Sequence, residues 1–593
     1  MNTGIRRQLT ICGCLTVGVA LLLAIAYGNS LDTAFVFDDE PSIVENSSIR
    51  RLLPLGTVLF SEAEGGRTHD GRPLLNLSLA ITYALSGLAP AGFRLGNLAI
   101  HLVNTLLVFD VVRRVLAAGA GIARSPGHWA PGMAAAVAIV WSLHPLHTNV
   151  ITYAIQRAES LAALGVLAAL DASIVALVQA SLPAAGLAVA AAILGGLCKE
   201  TTAAILPVVM AFDWAFCRHR TGLRAIRGLL YPGLVVNWLV IAAVIVTIGG
   251  REGSAGLGTM SSLDYFITQC RGIWIYLGRL FWPHVLVLDY GDVPDTSLAA
   301  TWPFVAATVG LAVAIMVGFV KRPTLFFLPV AAMLLLAPSS SIVPVATQVL
   351  AEHRMYLPSA FLLSGLVAGI LVTAQAPATP RSRMALAAAV ITVCVGIVWV
   401  EVARIRVRNR DFISAETLWR QNVRDYPENV RGVVNLAAAL IRQGRLDEAE
   451  PLVRQALAAR PSDDQSWINL GRIHAERGDN TDAVEAFTEA LRCKPARVEA
   501  RINRALVLSR DGLFAEALAD LDAAIKARPD LAKGWLARGV VRMRQGRPEA
   551  AIADLETAIH LDPENPASRA NLAAATELLL NKPENVSRAE GLR

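Results

Sequence analysis

The sequence predicts an all-α protein in two parts, a helical membrane domain followed by an α-solenoid. Hydrophobic residues make up 54% of the 593-residue chain, and residues 1–404 consist of apolar runs of membrane length joined by short polar loops. Residues 405–593 contain no such run and are rich in Ala, Arg, Glu and Asp, with several residue types recurring at a constant interval. We therefore expect about eleven transmembrane helices, followed by helical repeats.

Eleven apolar segments are long enough to be candidate membrane spans. They lie near residues 8–30, 93–117, 130–147, 158–178, 183–198, 201–217, 229–249, 301–320, 323–338, 355–374 and 384–404. Lys199 and Glu200 interrupt the apolar sequence between the fifth and the sixth. Because the first run is long and no small-residue cleavage site precedes Asp32, we expect an uncleaved membrane anchor there.

The positions of Lys and Arg in the short loops predict the orientation of the spans. With eleven spans, the basic loops at Arg6, Arg113, 217–227, Lys321 and Arg381 all face the cytoplasm. The long loops 31–92 and 250–300 and the C-terminal part then lie on the extracytoplasmic side. We expect an integral protein of the plasma membrane, or of the inner membrane if the source is bacterial. The basic residues at 404–410 do not follow this cytoplasmic distribution of Lys and Arg. We expect their side chains to reach lipid headgroups.

The C-terminal part has the spacing of tetratricopeptide repeats. Prolines and glycines each recur with a constant period, which is that of the tetratricopeptide repeat. The residues are Pro427, Pro461, Pro495, Pro529, Pro563, Gly444, Gly478, Gly512 and Gly546. Gly at a helical turn and Pro before the next repeat are typical of this pattern. We expect a linker and half repeat at 405–429, and four full repeats with a capping helix at 430–580. The full repeats should begin near Val430, Asp464, Val498 and Ala532, and residues 581–593 should be a disordered tail.

Composition excludes several classes of protein. The seven cysteines are scattered and form no CxxC pair, so we expect neither a disulfide framework nor a cysteine metal site. The net charge of +6 is modest for this length, and the basic residues cluster in short loops, which argues against a nucleic-acid partner. Membrane lipids are the expected surroundings, no cofactor is indicated, and a divalent metal is possible but not indicated.

Three consecutive carboxylates, Asp38, Asp39 and Glu40, follow the first span. Charge runs usually face water, so one interpretation is the solvated start of a loop. The other is a general base, or a metal-linked carboxylate, that deprotonates an acceptor hydroxyl, because a neutral hydroxyl is a poor nucleophile. We expect Asp38 or Asp39 to be the catalytic residue.

Ionisable residues near the other span ends are candidates for binding an anionic lipid headgroup, since such residues are costly in a membrane. They are Arg157, Glu159, Lys199, Glu200, His353, Arg354 and His144. Arg can bind a phosphate through two N–H groups. The alternatives are an Arg157–Glu159 pair, a Lys199–Glu200 pair that caps two short helices, and a solvated loop at 353–354. Pro145 breaks the helical geometry that a metal would need between His144 and His147, so no metal is assigned.

Several stretches resemble the transmembrane and tetratricopeptide-repeat (TMTC-like) protein O-mannosyltransferases, polytopic enzymes of the type C glycosyltransferase (GT-C) fold. They include FVFDDEPSIVEN, LHPLHTNVITYAIQRAESLAAL and AEHRMYLPSA, in the family's order and followed by the repeats. The resemblance implies a polyprenyl- or dolichyl-phosphate sugar donor, with mannose the expected sugar. It also implies transfer to Ser or Thr of an acceptor protein, on the face where Asp38 and Asp39 lie. The lipid phosphate would contact Arg157, Lys199 and Arg354.

One position departs from the family pattern. Members of the family are expected to carry Glu after the His-Thr pair, whereas this chain has Asn149, so a carboxylate role at that position is in doubt. We interpret the chain as a glycosyltransferase whose repeats hold the acceptor protein. The first alternative is a membrane-anchored repeat scaffold without catalysis, although a bare anchor needs no charged clusters among its spans. The second is a transporter, which would usually show internal repeats of spans.

Overall fold

The computed structural model describes residues 3–60, 68–119, 130–248, 261–291, 298–340, 348–373, 380–563 and 565–580. Within these ranges the chain forms helices and no strands, which confirms the predicted all-α class. The chain divides into two compact units, Met1–Asp425 and Tyr426–Arg593. We call them the membrane unit and the repeat unit.

The described part of the membrane unit contains α-helices joined by short helical turns and loops. The helices are α1 (Thr3–Tyr27), α2 (Leu55–Leu59), α3 (Pro73–Ser86), α4 (Pro90–Ala118), α5 (Ala130–Ser142), α6 (Thr148–Ile151), α7 (Arg157–Gln179), α8 (Leu182–Gly196), α9 (Ile205–Phe212), α10 (Arg224–Ile248), α11 (Ser262–Phe281), α12 (Leu298–Lys321), α13 (Pro323–Leu336), α14 (Tyr356–Thr373), α15 (Pro380–Asp411) and α16 (Ala415–Asp425).

Each of the eleven predicted spans overlaps one of these helices. Among the described residues, six helical segments are long and apolar enough to cross a membrane, or seven if α5 and the bent segment Pro145–Ile151 form one span. Two further predicted spans correspond to α8 and α13, which have 15 and 14 residues and are shorter than a typical span. The predicted number of eleven is therefore not confirmed.

Small residues let the helices of the membrane unit approach closely. α7 packs against α4 and α8, and Gly165 of α7 faces Gly195 of α8. A Cβ atom on Gly165 would lie 2.5 Å from the Cα of Gly195, so only glycine permits this crossing. Small residues at helix crossings are common in membrane proteins, because they bring the backbones together.

The compact units divide the chain at a different place from the predicted domains. Residues 405–429 were predicted as a linker and half repeat, and in the structure 405–425 lie in the membrane unit. α15 continues to Asp411, and Trp419 of α16 packs against Phe37 with ring centroids 5.1 Å apart. Arg408 is also buried, and its Nη1 donates to Oε1 of Gln421 at 2.8 Å. Its guanidinium therefore contacts protein, and the expected contact with lipid headgroups is wrong for this residue.

The described residues of the repeat unit form consecutive helices that pack against their neighbours in sequence. These are α17 (Val430–Arg442), α18 (Leu446–Ala459), α19 (Asp464–Arg477), α20 (Asn480–Cys493), α21 (Val498–Leu508), α22 (Phe514–Ala527), α23 (Ala532–Arg544), α24 (Pro548–Leu561) and α25 (Pro566–Leu580). Helices begin at all four residues predicted to start a full repeat. The turn glycines Gly444, Gly478, Gly512 and Gly546 have φ between 73° and 90°, a conformation that glycine adopts without strain.

Small residues also set the helix crossings of the repeat unit. Ala449, Ala483, Ala517 and Ala551 occupy the same position in successive repeats and are fully buried. A Cβ atom on Gly471 would lie 2.7 Å from the ring of Phe487, so that ring packs directly on the α19 backbone. Small residues therefore stand where the paired helices of a repeat meet.

Candidate active site

The predicted catalytic carboxylates lie in a tight turn that we call the carboxylate turn, residues 36–40. Asp39 is fully buried there. Its Oδ1 accepts the backbone N–H of Ile155 at 2.8 Å, and its Oδ2 accepts the N–H of Val36 at 3.3 Å. Burial raises the pKa of Asp39 to about 7, against the lowering effect of these N–H donors and of the Arg94 charge,. Asp39 thus ties the turn to the segment that precedes α7.

Asp38 has a different environment from Asp39. Its side chain is only partly buried, and its Oδ2 accepts the hydroxyl of Thr68 at 3.4 Å. Its backbone N–H donates to the hydroxyl of Tyr153 at 2.9 Å. Of the two predicted catalytic residues, Asp38 is therefore the one within reach of a solvent-borne hydroxyl group.

The backbone of the carboxylate turn adopts an uncommon conformation. Phe37 has φ of +52°, a left-handed region that non-glycine residues rarely occupy. Such a conformation costs on the order of 1 kcal/mol and persists only where the surroundings enforce it. Arg94 fixes the chain just before the turn, because its guanidinium donates to the carbonyl oxygens of Thr33 and Ala34.

A second group of charged residues, the basic cluster, consists of Arg72, Lys199, His353 and Arg354 together with Glu159 and Glu200. Lys199 donates to Glu159, and both side chains are about nine-tenths buried. Arg72 lies 3.7 Å from Glu200. The predicted alternatives for these residues, an Arg157–Glu159 pair and a Lys199–Glu200 pair, are therefore both wrong.

His353 lies among the cations of the basic cluster. Burial, with the charges of Lys199, Arg354 and Arg72 beside it, holds the pKa of His353 well below its ordinary value. The imidazole is therefore neutral near pH 7 and carries one N–H donor. Its side chain is 8% exposed, and in the described ranges no residue hydrogen-bonds to its ring nitrogens. The ring of His353 is thus placed to donate a hydrogen bond to a bound group.

Arg354 is held rigidly at the edge of the basic cluster. Its Nη1 donates to the carbonyl oxygen of Val349 at 2.8 Å and to Oε1 of Gln269 at 3.2 Å, and its Nη2 donates to the carbonyl oxygen of Gln348. No carboxylate in the described part of the chain pairs with it. With Arg72 and Lys199 opposed by two glutamates, the cluster carries one positive charge in excess, which favours an anion.

Thr68 connects the carboxylate turn to the basic cluster. Its hydroxyl donates to Asp38, and its carbonyl oxygen accepts Nη1 of Arg72 at 2.8 Å. Through Arg72, this connection extends to Glu200 and to the surroundings of His353. The structure thus brings together seven predicted site residues: Asp38, Asp39, Glu159, Lys199, Glu200, His353 and Arg354.

A small cleft opens beside the basic cluster. It is polar at Glu159, Thr201 and Arg354 and apolar where α7, α13 and α14 face it. The apolar lining residues are Ala162, Ala163, Val166, Leu335, Leu357 and Pro358. A charged end continuing into an apolar wall matches an amphiphile with an anionic head.

Two predicted binding residues lie outside this group. The guanidinium of Arg157 donates to Asn97, Thr82 and two backbone carbonyl oxygens, all at 2.7–3.0 Å. His144 contacts the carbonyl oxygen of Leu280 through Nε2 at 2.9 Å and accepts the N–H of Leu146 through Nδ1. Both side chains cross-link the protein with their own donors and acceptors, and neither joins the basic cluster.

Glu352 is a buried carboxylate that the sequence analysis did not include among the site residues. Its Oε1 accepts the N–H of Val287 at 3.0 Å and the hydroxyl of Tyr290 at 2.8 Å, while Asn149 donates to its Oε2 at 3.2 Å. Burial raises the pKa of Glu352 to about 6. A carboxylate therefore does lie beside Asn149, but it comes from the chain segment next to His353. The position of Glu352 directly before His353 and Arg354 is the sequence feature that could have identified it as a site residue.

One set of described residues has the spacing of metal ligands. His474 of α19, Asp479 of the following turn and Asp482 of α20 place ligand atoms within 4.8 Å of one another. Three partly solvated groups of this kind also occur without a metal. We assign no metal to them.

A family model described as "Tetratricopeptide repeat" matches residues 402–464, 435–498, 468–532, 502–566 and 536–577. This confirms the predicted repeats. The first match begins within α15, before the membrane unit ends. The chain is also similar to a solved "thermophilic TPR protein" from Thermus thermophilus, with 19% identity and a TM-score of 0.26, covering 29% of this chain and 92% of that one.

Curated relatives match part of the chain. The "Protein O-mannosyl-transferase Tmtc1" of Drosophila melanogaster is 29% identical over 148 residues, which is 24% of this chain and 16% of the relative. The "Protein O-mannosyl-transferase TMTC4" of Homo sapiens is 33% identical over 156 residues, which is 25% of this chain and 21% of the relative. The chain thus aligns with about a sixth to a fifth of the length of these relatives. The similarity to TMTC-like proteins expected from the sequence is confirmed.

Proposed function

We propose that this protein is a membrane glycosyltransferase that moves a sugar, mannose, from a polyprenyl-phosphate donor to Ser or Thr hydroxyls of an acceptor protein. The reaction takes place on the extracytoplasmic face, and the repeat unit binds the acceptor. The observation that carries the proposal is the cluster of Lys199, His353 and Arg354 beside a cleft with apolar walls. The names of the curated relatives support the sugar and the kind of acceptor.

The donor binds with its phosphate at the basic cluster. Lys199 and Arg354 supply positive charge, and the neutral His353 supplies an N–H donor that has no partner among the residues described. The polyprenyl chain follows the apolar residues of α7 and α14 that line the cleft. Burial strengthens these interactions, because charges attract more strongly where water is excluded.

The chemical step is a displacement at the anomeric carbon of the sugar. Asp38 takes the proton of the acceptor hydroxyl, whose oxygen forms a bond to that carbon from the face opposite the phosphate. The bond between the carbon and the phosphate oxygen breaks, and the lipid phosphate leaves with the bonding electron pair, so the configuration inverts. The basic cluster stabilises the charge that develops on the leaving phosphate. The proton on Asp38 then passes to water.

The direct test uses the full-length protein in detergent with radiolabelled polyprenyl-phosphate mannose and a Ser/Thr-containing peptide. We expect label on the peptide and a mass increase of one hexose, both absent when Ser and Thr are replaced by Ala. Parallel assays with polyprenyl-phosphate glucose and with nucleotide-linked mannose show which sugar and which carrier the protein uses. Peptide binding without label transfer from any of these donors would contradict the proposal and favour the scaffold alternative.

A further inference from the structure

The first helix after the membrane helices, α16, contacts the loops that carry the candidate site. Trp419 of α16 is 2% exposed, and its ring meets that of Phe37 at 5.1 Å with an interplanar angle of 83°. This edge-to-face geometry is a favourable one for aromatic pairs. Phe37 immediately precedes Asp38, so the contact lies directly beside the proposed base.

The contact with Trp419 opposes strain in the backbone of the carboxylate turn. The left-handed φ of Phe37 is a strained conformation,, and a free loop would relax to a more common one. Relaxation at Phe37 would rotate the following peptide. The N–H of Asp38 would then move away from Tyr153, and the carboxylate of Asp39 from the N–H of Ile155. The Trp419 ring packs against Phe37 and so opposes this relaxation.

The same helix also holds the loop 286–289, which contacts the segment that carries His353. Gln421 donates to the carbonyl oxygen of Leu286 at 2.9 Å, and Asn422 donates to that of Asp289 at 2.8 Å. Between these two residues, the N–H of Val287 donates to Glu352, the neighbour of His353. α16 itself is fixed to the end of α15 through Gln421 and Arg408.

We propose that Trp419 is a positioning residue for the proposed base, which it serves by holding Phe37 in its left-handed conformation. The inference rests on the proposed transferase function. Trp419 does not touch the substrate, so its loss should lower kcat while leaving donor binding at the basic cluster intact. A misplacement of about 1 Å at a reacting group lowers a rate by about 10²-fold, and a partial displacement by less.

The first experiment compares Trp419→Ala, Trp419→Phe and Arg424→Ala in the full-length protein. Arg424 lies on the same helix with its side chain 72% exposed, which makes it the matched control. We expect Trp419→Ala to lower kcat by about 10- to 100-fold with the donor KM changed by less than about 2-fold. Trp419→Phe should restore most of the rate, and Arg424→Ala should leave both constants unchanged.

A second readout does not depend on activity. Amide hydrogen exchange reports local opening, and peptides covering 36–42 and 153–157 contain the hydrogen bonds of the carboxylate turn. We expect Trp419→Ala to speed their exchange by about 10-fold or more, whereas Arg424→Ala should not. If Trp419→Ala is too unstable to purify, Phe37→Leu removes the same ring contact and should give the same exchange.

A third comparison tests whether the effect of Trp419 depends on the backbone strain at Phe37. Glycine adopts a positive φ without penalty, so in a Phe37→Gly background the further change Trp419→Ala should alter kcat and exchange by less than about 2-fold. Wild-type exchange in both peptides of Trp419→Ala and of Phe37→Leu would overturn the inference. Faster exchange in a protein that transfers no sugar would support the positioning of the turn and contradict the proposed function instead.

Discussion

The two units of the protein treat their buried carboxylates differently. In the repeat unit, Asp520 and Asp554 occupy the same position in successive repeats, and they accept bidentate hydrogen bonds from the equally spaced Arg504 and Arg538. In the membrane unit, Asp213 is also paired with Arg227 and Glu159 with Lys199, but Asp39 and Glu352 accept hydrogen bonds from backbone N–H groups and neutral side chains. Among the described residues no guanidinium donates to Asp39 or Glu352, and burial raises the pKa of both.

The difference separates charges that hold a fold together from charges available for chemistry. A periodic Arg–Asp pair satisfies both partners and remains ionised, so it contributes to stability. A buried carboxylate without a cationic partner is poised to exchange a proton near neutral pH, and such groups cluster at functional sites. The predictions below test this separation, beginning with the largest expected effect.

Asp38→Asn should lower kcat for sugar transfer by about 10³-fold, within the range that general bases contribute, because the amide accepts no proton. Glu40→Gln is the matched control, since Glu40 lies two residues further on with an exposed side chain. Its kcat should stay within about 2-fold of wild type. Steady-state transfer at saturating donor measures both. Equal loss in the two variants would remove Asp38 from the role of base.

Lys199→Met should raise the donor KM by about 10- to 100-fold, because a charge-assisted contact to the phosphate is worth about 1.5–3 kcal/mol. Since Glu159 loses its partner in this variant, Lys199→Met combined with Glu159→Gln separates lost binding from an unpaired buried charge. Lys321→Met, at an exposed lysine, controls for the change of charge. An unchanged donor KM in the double variant would place the phosphate elsewhere.

The pH dependence of stability should change in Asp39→Asn. The pKa of Asp39 is about 7 in the folded protein and near 3.9 when unfolded, so the folded state binds the extra proton. Its stabilising effect is fully present below about pH 4 and is lost as pH rises through about 7. Between pH 5 and 8 this loss is on the order of 3 kcal/mol.

Thermal unfolding of the full-length protein measures this effect. The difference in Tm between Asp39→Asn and wild type should shift in favour of the variant as pH rises from 5 to 8. Asp38→Asn serves as the comparison for a neighbouring carboxylate in the same turn. A Tm difference that is constant across this range would show that Asp39 stays ionised throughout.

Asp554→Asn should weaken the last full repeat by about 2 kcal/mol, because Arg538 and Arg542 both lose a charged acceptor,. Asp530→Asn breaks a more exposed pair with Arg528 and should change stability by less than about 1 kcal/mol. Hydrogen exchange of amides in α23 and α24 measures both local opening energies. Similar opening energies in the two variants would show that the periodic pair is not stabilising.

The repeat unit was largely predictable from the sequence, because its determinants are local and periodic. The constant spacing of Pro and Gly located the helix starts at Val430 and Asp464 and the turn at Gly478, whose φ is 90°. The membrane helices were also located, since an apolar run of sufficient length is itself the signal. The number of membrane spans was harder to predict, because helices such as α8 are apolar but shorter than a typical span.

The pairing of charges in the site was not predictable, because it depends on contacts far apart in sequence. Lys199 has an extended backbone, with φ of −163° and ψ of 142°, and neighbouring side chains on an extended chain point to opposite sides. Lys199 therefore meets Glu159, while Glu200 meets Arg72. The contact of Trp419 with Phe37 also joins residues far apart in sequence and follows no sequence pattern.

The most direct test of the account compares one carboxylate from each unit in a single assay. The kcat for transfer of mannose from polyprenyl-phosphate mannose to a Ser/Thr peptide is measured for Asp38→Asn and Asp554→Asn, at a temperature where both variants are folded. The account predicts a loss of about 10³-fold for Asp38→Asn and a kcat within about 2-fold of wild type for Asp554→Asn. Equal rates in the two variants would contradict it.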